Sequence, residues 1–365
     1  MKKNQENKKV KLQVICCTYN HVNYIEEALK GFVSQKTNFP FEVLVGDDCS
    51  TDGTSEIVAR YAQKYPNIIK HIRRVKNMGA QKNSVDLLER IDAEYMALCE
   101  GDDYWIDENK LQKQVDFLDQ NKHINGCFHN AEIRKEAGVK YYNADFWFRP
   151  DETGRQYWPN GIEGFEPKKL FYIKDILSGL IPTASVVYRW DKTIRFPEWF
   201  KNGVAGDRPF HCFMIKSGAI AYLNETMSVY RVSPTGAWFN KNKKKNCAQE
   251  IKEWVDLIKN INSYFDGAYE NIFSYYWKSS IKNGFKNALE LHDTKTLYEL
   301  IKLYPDVFYE FYDCNRNTPP SCGYMQKSKK FVKVFGIPFL KIKINGNTTK
   351  YYLFNFIKIL TVKGK

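Results

Sequence analysis

The 365-residue chain has no apolar stretch approaching the roughly 20 residues that a membrane-crossing helix requires. Nor does it open as a secreted protein would: Met1 to Lys11 is polar and lysine-rich, and the apolar run behind it, Leu12 to Cys17, is far shorter than the hydrophobic region of a signal peptide. Both absences lead to the expectation of a cytoplasmic protein. Paired cysteines are missing as well. The nine cysteines are odd in number, scattered and without Cys-x-x-Cys spacing, so no zinc or dithiol redox site is read from them. Cys16, Cys17 and Cys99 lie inside apolar runs and read as reduced, buried thiols. There is no internal repeat. The loop behind the first strand-like run, Thr18-Tyr19-Asn20-His21, contains no glycine, which argues against the glycine-rich phosphate loop of sugar nucleotidyltransferases and dinucleotide oxidoreductases.

What is present suits a large α/β domain with an appendage. A hydrophobic content of 43% is ample for a core at this length, and the 15% aromatic content fits ring stacking or a lipid interface as well as packing. The net charge of +13 is unevenly placed, because residues 326–365 hold ten lysines and no acidic residue. Phe331, Val334, Phe335, Ile337, Phe339, Leu340, Tyr351, Tyr352, Phe354 and Phe356 interleave with those lysines. That pattern fits an anionic membrane surface, which attracts each lysine by about 1 kcal/mol, and equally an amphipathic capping segment with a solvated lysine face. Basic charge permits nucleic-acid binding. However, the lysines concentrate in the tail while the polar clusters described below are acidic, so no nucleic-acid partner is expected.

Strand and helix patterns alternate over the first 120 residues. Leu12 to Cys17, Phe41 to Val45, Ile68 to Val75 and Tyr95 to Cys99 read as strands. Tyr24 to Ser34, Ser55 to Tyr65, Ala80 to Ile91 and Lys110 to Leu118 read as helices, the second with Ser or Thr as its N-cap. Farther on, Cys127 to Ile133, Thr183 to Tyr188 and Ala219 to Leu223 read as extended, and Asp207 to Ser217 and the chain from Gln249 as helical. A loop region between the first two of those strands carries Phe146, Trp147, Phe148, Tyr157 and Trp158.

Alternating β and α units predict a parallel sheet covered on both faces, with ligands bound beyond the carboxyl ends of the strands. Three polar clusters fall at such ends: Thr18-Tyr19-Asn20, Asp47-Asp48 and Glu100-Gly101-Asp102-Asp103. An acidic turn can be a solvated loop or a helix cap. These acids end apolar strands instead, and like charges so close repel unless something cationic joins them. Gly101 permits close backbone approach.

As a set, Cys17-Thr18-Tyr19-Asn20, Val45-Gly46-Asp47-Asp48-Cys49-Ser50-Thr51-Asp52-Gly53-Thr54, Asn77-x-Gly79 and Glu100-Gly101-Asp102-Asp103-Tyr104-Trp105 resemble glycosyltransferase family 2 over about Val10 to Gln120. The resemblance implies an α/β GT-A fold, a Rossmann-like and mostly parallel sheet flanked by helices, here followed by a helical appendage and the basic tail. It also implies an inverting transfer of sugar from a nucleotide-diphosphate sugar. Thr18, Tyr19, Asn20 and Asn77 would lie about the nucleotide, Asp47 or Asp48 would hydrogen-bond uracil or ribose, and Asp102 and Asp103 would hold Mn2+ or Mg2+ against the donor diphosphate. Glu100 stands where the family's first aspartate is usual, so its contact with sugar or ribose is the departure from the pattern.

Ala205-Gly206-Asp207-Arg208 and Met227-Ser-Val-Tyr230-Arg231 resemble the family's later segment. Inversion by one displacement needs a base for the acceptor hydroxyl, and Asp207 matches that position, although an aspartate ahead of a helix is also an ordinary N-cap. Arg231 would help to neutralise the diphosphate or form a surface salt bridge. His21 and His211 could approach the site and read as structural histidines. The expected partners are a nucleotide-sugar donor, a glycan or lipid-linked glycan acceptor of the lipooligosaccharide, capsule or O-antigen kind, and the inner face of a membrane reached through the tail. The domain boundaries read as 1–240 for the catalytic core, 241–325 for the helical region and 326–365 for the tail, with Trp238 on the acceptor side.

Overall fold

The computed structural model describes residues 9–137, 139, 151–160, 169–177, 181–203, 206–216, 218–233 and 247–312, and the backbone of 313–316, 326–328, 331–334, 337–345, 348–353 and 357–363. Phe146 to Phe148, Trp238 and the lysine run at 241–245 lie outside the described residues. The chain divides into two units, Met1–Lys243 and Lys244–Lys365.

The first unit is built on a ten-stranded sheet. Its leading half repeats strand and helix: β1 (Leu12–Thr18), α1 (Ile25–Val33), β2 (Phe41–Asp47), α2 (Thr54–Lys64), β3 (Ile69–Arg73), α3 (Ala80–Glu89) and β4 (Tyr95–Leu98). These strands stand in the order β3-β2-β1-β4, all parallel. A parallel pair needs a crossover, and the helices supply it while covering the faces. Ile25, Ala28, Leu29 and Phe32 of α1 are fully buried against Val14, Val43 and Val45, which makes the helical stripe the reason α1 sits where it does. Because β1 is central, everything at its carboxyl end faces the ends of both neighbours.

The second half is mixed. After β5 (Tyr104–Trp105) and α4 (Lys110–Gln120) come β6 (Gly126–Lys135), β7 (Gln156–Trp158), β8 (Leu170–Phe171), β9 (Val187–Arg189), α5 (Asp207–Ile215) and β10 (Ile220–Val232). Strand β9 runs antiparallel to both β4 and β6, whereas β6 and β10 are parallel. The expected mostly parallel sheet is therefore a description of the leading half. Thr183 to Ser185, read as strand, forms a 3-10 turn instead. The carbonyls of Ala184 and Ser185 are taken by Trp105 Nε1 and Gln114 Nε2, each at 2.8 Å, and the preceding Pro182 has no N–H to offer a ladder. Strand β10 runs well past Leu223. The strand passes through two register shifts, one at Leu223/Thr226 and one at Thr226/Ser228, and continues to Val232.

The second unit holds α6 (Cys247–Tyr264), α7 (Glu270–Glu290), α8 (Thr294–Leu303) and α9 (Pro305–Arg316) around a core that includes Val255, Ile281, Phe285, Leu300 and Phe308. Gly284 lets α6 close in: a Cβ there would lie 2.3 Å from Ile251 Cδ1. The tail, expected as an amphipathic segment, forms five antiparallel strands between Gln326 and Lys363, each paired with the next along the chain. Among the described residues no helix is long and apolar enough to cross a membrane.

Candidate active site

Thr18, the last residue of β1, organises the site. Its carbonyl accepts from Asp48 N–H at 3.0 Å on one side, while the carbonyl of Cys17 accepts from Gly101 N–H at 2.9 Å on the other. The ends of β2 and β4 are thereby stitched to the end of β1, and two of the predicted acidic clusters meet the first polar cluster. A Cβ on Gly101 would stand 2.7 Å from Thr18 Oγ1, 2.8 Å from Thr18 Cβ and 3.0 Å from His21 Nδ1, so only glycine lets the acidic turn approach this closely. Thr18 Oγ1 and His21 Nδ1 are both buried without a hydrogen-bond partner.

Asn20 takes a left-handed conformation, with φ of 54°, and ties the two polar loops together. Its N–H donates to Ser50 Oγ at 3.0 Å and its Oδ1 accepts from Thr51 N–H at 2.9 Å. Tyr19 is half exposed beside it. The predicted nucleotide loop is thus a rigid double turn, with Asn20 as its internal clamp.

Asp47 and Asp48 differ in what they face. Asp47 is fully buried, and its Oδ1 accepts from Ser50 N–H at 3.0 Å. Burial alone would raise its carboxyl, but the His71 ring, 3.7 Å from Oδ2, and the polar groups of Ser50 and Ser55 outweigh that and hold it well below the usual range. Asp48 spans the start of α3, accepting from Met78 N–H at 2.7 Å and Gly79 N–H at 2.8 Å. Asn77 Nδ2 returns the contact to the Asp48 carbonyl at 3.3 Å. These partners, His71 and Met78 above all, were invisible in the sequence because nothing in their spacing marks them.

In the acidic turn, Asp102 is partly exposed and lies 3.9 Å from His21 Nε2. Glu100 is exposed at the mouth of the turn. Asp103 is buried: its Oδ1 accepts from the Arg231 backbone N–H at 2.8 Å, and its Oδ2 has no partner. Burial, followed by the charges of Asp102 and Glu100, raises the Asp103 carboxyl well above its ordinary value. A buried carboxylate oxygen that is unpaired and crowded by two other acids fits a cation. Among the described residues no three His, Cys, Asp or Glu side chains gather closely enough to hold a metal by themselves. Mg2+ and Mn2+ are commonly held by one or two carboxylates with phosphate oxygens completing the shell.

Arg231 reaches the turn from the end of β10, but its guanidinium is almost fully buried and engaged within the protein. Nη1 donates to the Asp102 carbonyl at 3.0 Å, Nη2 to Glu27 Oε2 at 2.5 Å, and Nε lies 2.9 Å from Glu136 Oε1. The rings of Tyr24 and Tyr104 flank it at 4.7 and 5.0 Å. It is neither a surface salt bridge nor an open cation. Glu27, Glu136 and Tyr24 are site residues that the sequence reading missed, since they come from α1 and the end of β6.

Asp207 is the exposed first residue of α5, one position past the N-cap, Gly206, and its Oδ1 accepts from the adjacent Arg208 N–H at 2.8 Å. Gly206 packs on the first turn of α3, where a Cβ would fall 2.5 Å from Gln81 Oε1. The start of α5 therefore adjoins the helix whose leading N–H groups hold Asp48. His211, one turn on, is buried with Nδ1 2.8 Å from Tyr188 Oη and is pushed down to about 4 by burial, so it is neutral. Cys16 and Cys99 are free, buried thiols as their sequence reading has it, whereas Cys17 is only partly buried; its surroundings push it up to about 12 and burial raises the other two as well.

Comparison with known proteins gives this site a context. The profile of Glycosyl transferase family 2 matches residues 13–180. The protein Rv1520 of Mycobacterium tuberculosis is 37% identical over 227 residues, covering 62% of this chain and 60% of that protein. The poly(ribitol-phosphate) beta-N-acetylglucosaminyltransferase TarS of Staphylococcus aureus is 34% identical over 115 residues, 31% of this chain and 19% of TarS. A crystal structure of TarS 1–349 in complex with UDP superposes with a TM-score of 0.53 at 20% identity, covering 89% of this chain and 96% of that one. The likeness establishes a shared fold. The chain spans about 60% of the length of the mycobacterial relatives it matches.

Proposed function

We propose that this chain, whose residues 13–180 match the profile of Glycosyl transferase family 2, transfers a sugar from a nucleotide-diphosphate donor to a hydroxyl of a bacterial surface glycan with inversion at the anomeric carbon. One observation carries the reading: Asp103 presents a buried, unpartnered carboxylate oxygen in an acidic turn stitched to the end of β1. A divalent cation would offset the charge of that turn and of a donor diphosphate together. UDP is the favoured nucleotide, because TarS, which shares the fold, has been solved with UDP and with UDP-GlcNAc.

Asp102 and Asp103 would hold Mn2+ or Mg2+, which when bound offsets the charge that develops on the departing nucleoside diphosphate. Thr18, Tyr19 and Asn77 border the nucleotide, and Asn20 keeps their loop rigid. Asp48 fixes the turn leading into α3, whose free N–H groups add positive field. Asp207 takes the proton from the acceptor hydroxyl as its oxygen bonds the anomeric carbon; the carbon–phosphate oxygen bond breaks and its electron pair leaves with the nucleotide. The exposure of Asp207 suits a base that must meet an acceptor arriving from solvent.

The acceptor class is supported by relatives such as TarS, whose name gives poly(ribitol-phosphate) as its acceptor. Lipooligosaccharide, capsule and O-antigen chains share its chemistry of sugar hydroxyls. The ten lysines of residues 326–365 support work at the inner face of an anionic membrane. The test is donor hydrolysis across a panel of nucleotide sugars with Mn2+, using Asp103→Ala as control. We expect one donor class to turn over, with loss on chelation and in the variant; turnover indifferent to both overturns the reading.

A further inference from the structure

The guanidinium of Arg231 presents a physical puzzle. An arginine within 3.0 Å of the Asp102 carbonyl and bonded through its backbone to Asp103 should neutralise the acidic pair and displace a metal. Its surroundings remove that difficulty. Glu27 from α1 and Glu136 beyond β6 pair with Nη2 and Nε at 2.5 and 2.9 Å, so the local group of one arginine and two glutamates carries no surplus positive charge. What remains is geometry: a planar fork with fixed donors, held between Tyr24 and Tyr104.

We propose that Arg231, with its charge cancelled by Glu27 and Glu136, is a positioning residue that fixes the Asp102–Asp103 backbone for cation binding while leaving the cation's charge unopposed. The inference rests on the reading that these two aspartates hold the metal, and it assigns Arg231 to the acid pair instead of the diphosphate. Three separate stretches of chain converge on the guanidinium. Its Nη1 bond sets the 102–103 peptide plane, and the adjacent main-chain bond from residue 231 orients Asp103 Oδ1. That last bond survives any side-chain substitution, so variants at 231 isolate the guanidinium. Outer partners of metal ligands typically contribute 10- to 100-fold in metal affinity.

The experiment is Mn2+ titration of the full chain by electron paramagnetic resonance, with UDP present, for wild type, Asp103→Asn, Arg231→Lys and Glu27→Gln. Thermal unfolding is followed in parallel. Lysine keeps a charge but cannot reproduce the fork; Glu27→Gln, at a half-exposed position, keeps the fork and shifts the local charge one unit towards positive. Both should raise the Mn2+ Kd about tenfold or more, and high Mn2+ should restore kcat, which a general packing defect would not allow. Wild-type affinity in both variants, with Asp103→Asn impaired, overturns the positioning role and leaves the proposed site standing. Absence of Asp103-dependent Mn2+ binding in the wild type overturns both.

Discussion

Asp48 spends both carboxylate oxygens on one short stretch of chain, accepting from Met78 N–H at 2.7 Å and Gly79 N–H at 2.8 Å. The bidentate grip joins the end of β2 to the start of α3 with Gly79 in a positive-φ conformation, φ 87°. Asn in place of Asp48 can accept at one oxygen only and sets an NH2 against the other donor. Hydrogen bonds to charged groups contribute about 1.5–3 kcal/mol, so Asp48→Asn should lower stability by roughly that amount. It should also weaken UDP binding more than any effect on the unfolding midpoint explains, since the turn borders the proposed nucleotide site. Chemical denaturation paired with calorimetric UDP titration checks this; unchanged UDP affinity would remove Asp48 from the donor side.

Gly101 offers a different kind of test, because the constraint is space. A methyl group there would press on Thr18 and on His21 Nδ1. Overpacking of this kind costs about 1–3 kcal/mol, and relief must come from moving either the nucleotide loop or the acidic turn. Gly101→Ala is expected to fold with a reduced melting temperature and to lose donor hydrolysis by at least about tenfold, equivalent to ~1.4 kcal/mol at the transition state. Full activity in a folded variant would mean that the turn is more compliant than the contacts imply.

The legible part of this protein was its periodicity. The helical stripe of α1 and the apolar runs of β1, β2 and β4 were readable because each records burial on a fixed period, and the polar residues stood out at the strand ends. The unreadable part was made by contacts between distant stretches. Glu27, Glu136 and Arg231 are separated by up to 204 residues, and no local spacing announces their meeting. The turn at Thr183–Ser185 misled for the same reason: side chains from α4 and β5 take its carbonyls. In the tail, the alternation Lys341-Ile342-Lys343-Ile344 is a period-two signal that was read as amphipathy and is a strand.

Lys110 predicts a pH dependence of stability. It is fully buried, with Nζ 2.8 Å from Gln114 Oε1 and 4.2 Å from the centre of the Trp105 ring. Burial pushes it down to about 7, against the smaller opposing influence of Cys99, Cys127 and Asp107. Its folded value lies below its unfolded one, so between pH ~7 and ~10.5 the unfolded chain binds a proton that the folded chain does not. Stability should therefore rise with pH across that window, by up to ~1.4 kcal/mol per unit, with the full penalty present below it. Denaturation of wild type and Lys110→Met from pH 6 to 10 measures the difference. The methionine variant should lack this rise; parallel curves would show that Lys110 stays protonated over Trp105.

Asp207 separates chemistry from structure most cleanly. It is exposed at the first position of α5, behind the N-cap Gly206, and its Oδ1 accepts from Arg208 N–H at 2.8 Å, a bond that the amide oxygen of Asn can keep. Removing its charge forfeits only the favourable interaction with the helix dipole, about 0.3–1 kcal/mol. If it is the base, Asp207→Asn should reduce kcat for transfer to an acceptor by roughly 100- to 10,000-fold. Donor KM and the melting temperature should hardly move, because neither the cation site nor the nucleotide loop touches this carboxylate in the folded chain. Nucleotide-sugar hydrolysis to water, measured beside transfer, sharpens the test. A variant that keeps acceptor transfer within a few-fold of wild type would return Asp207 to an ordinary helix start and require the base to be sought elsewhere.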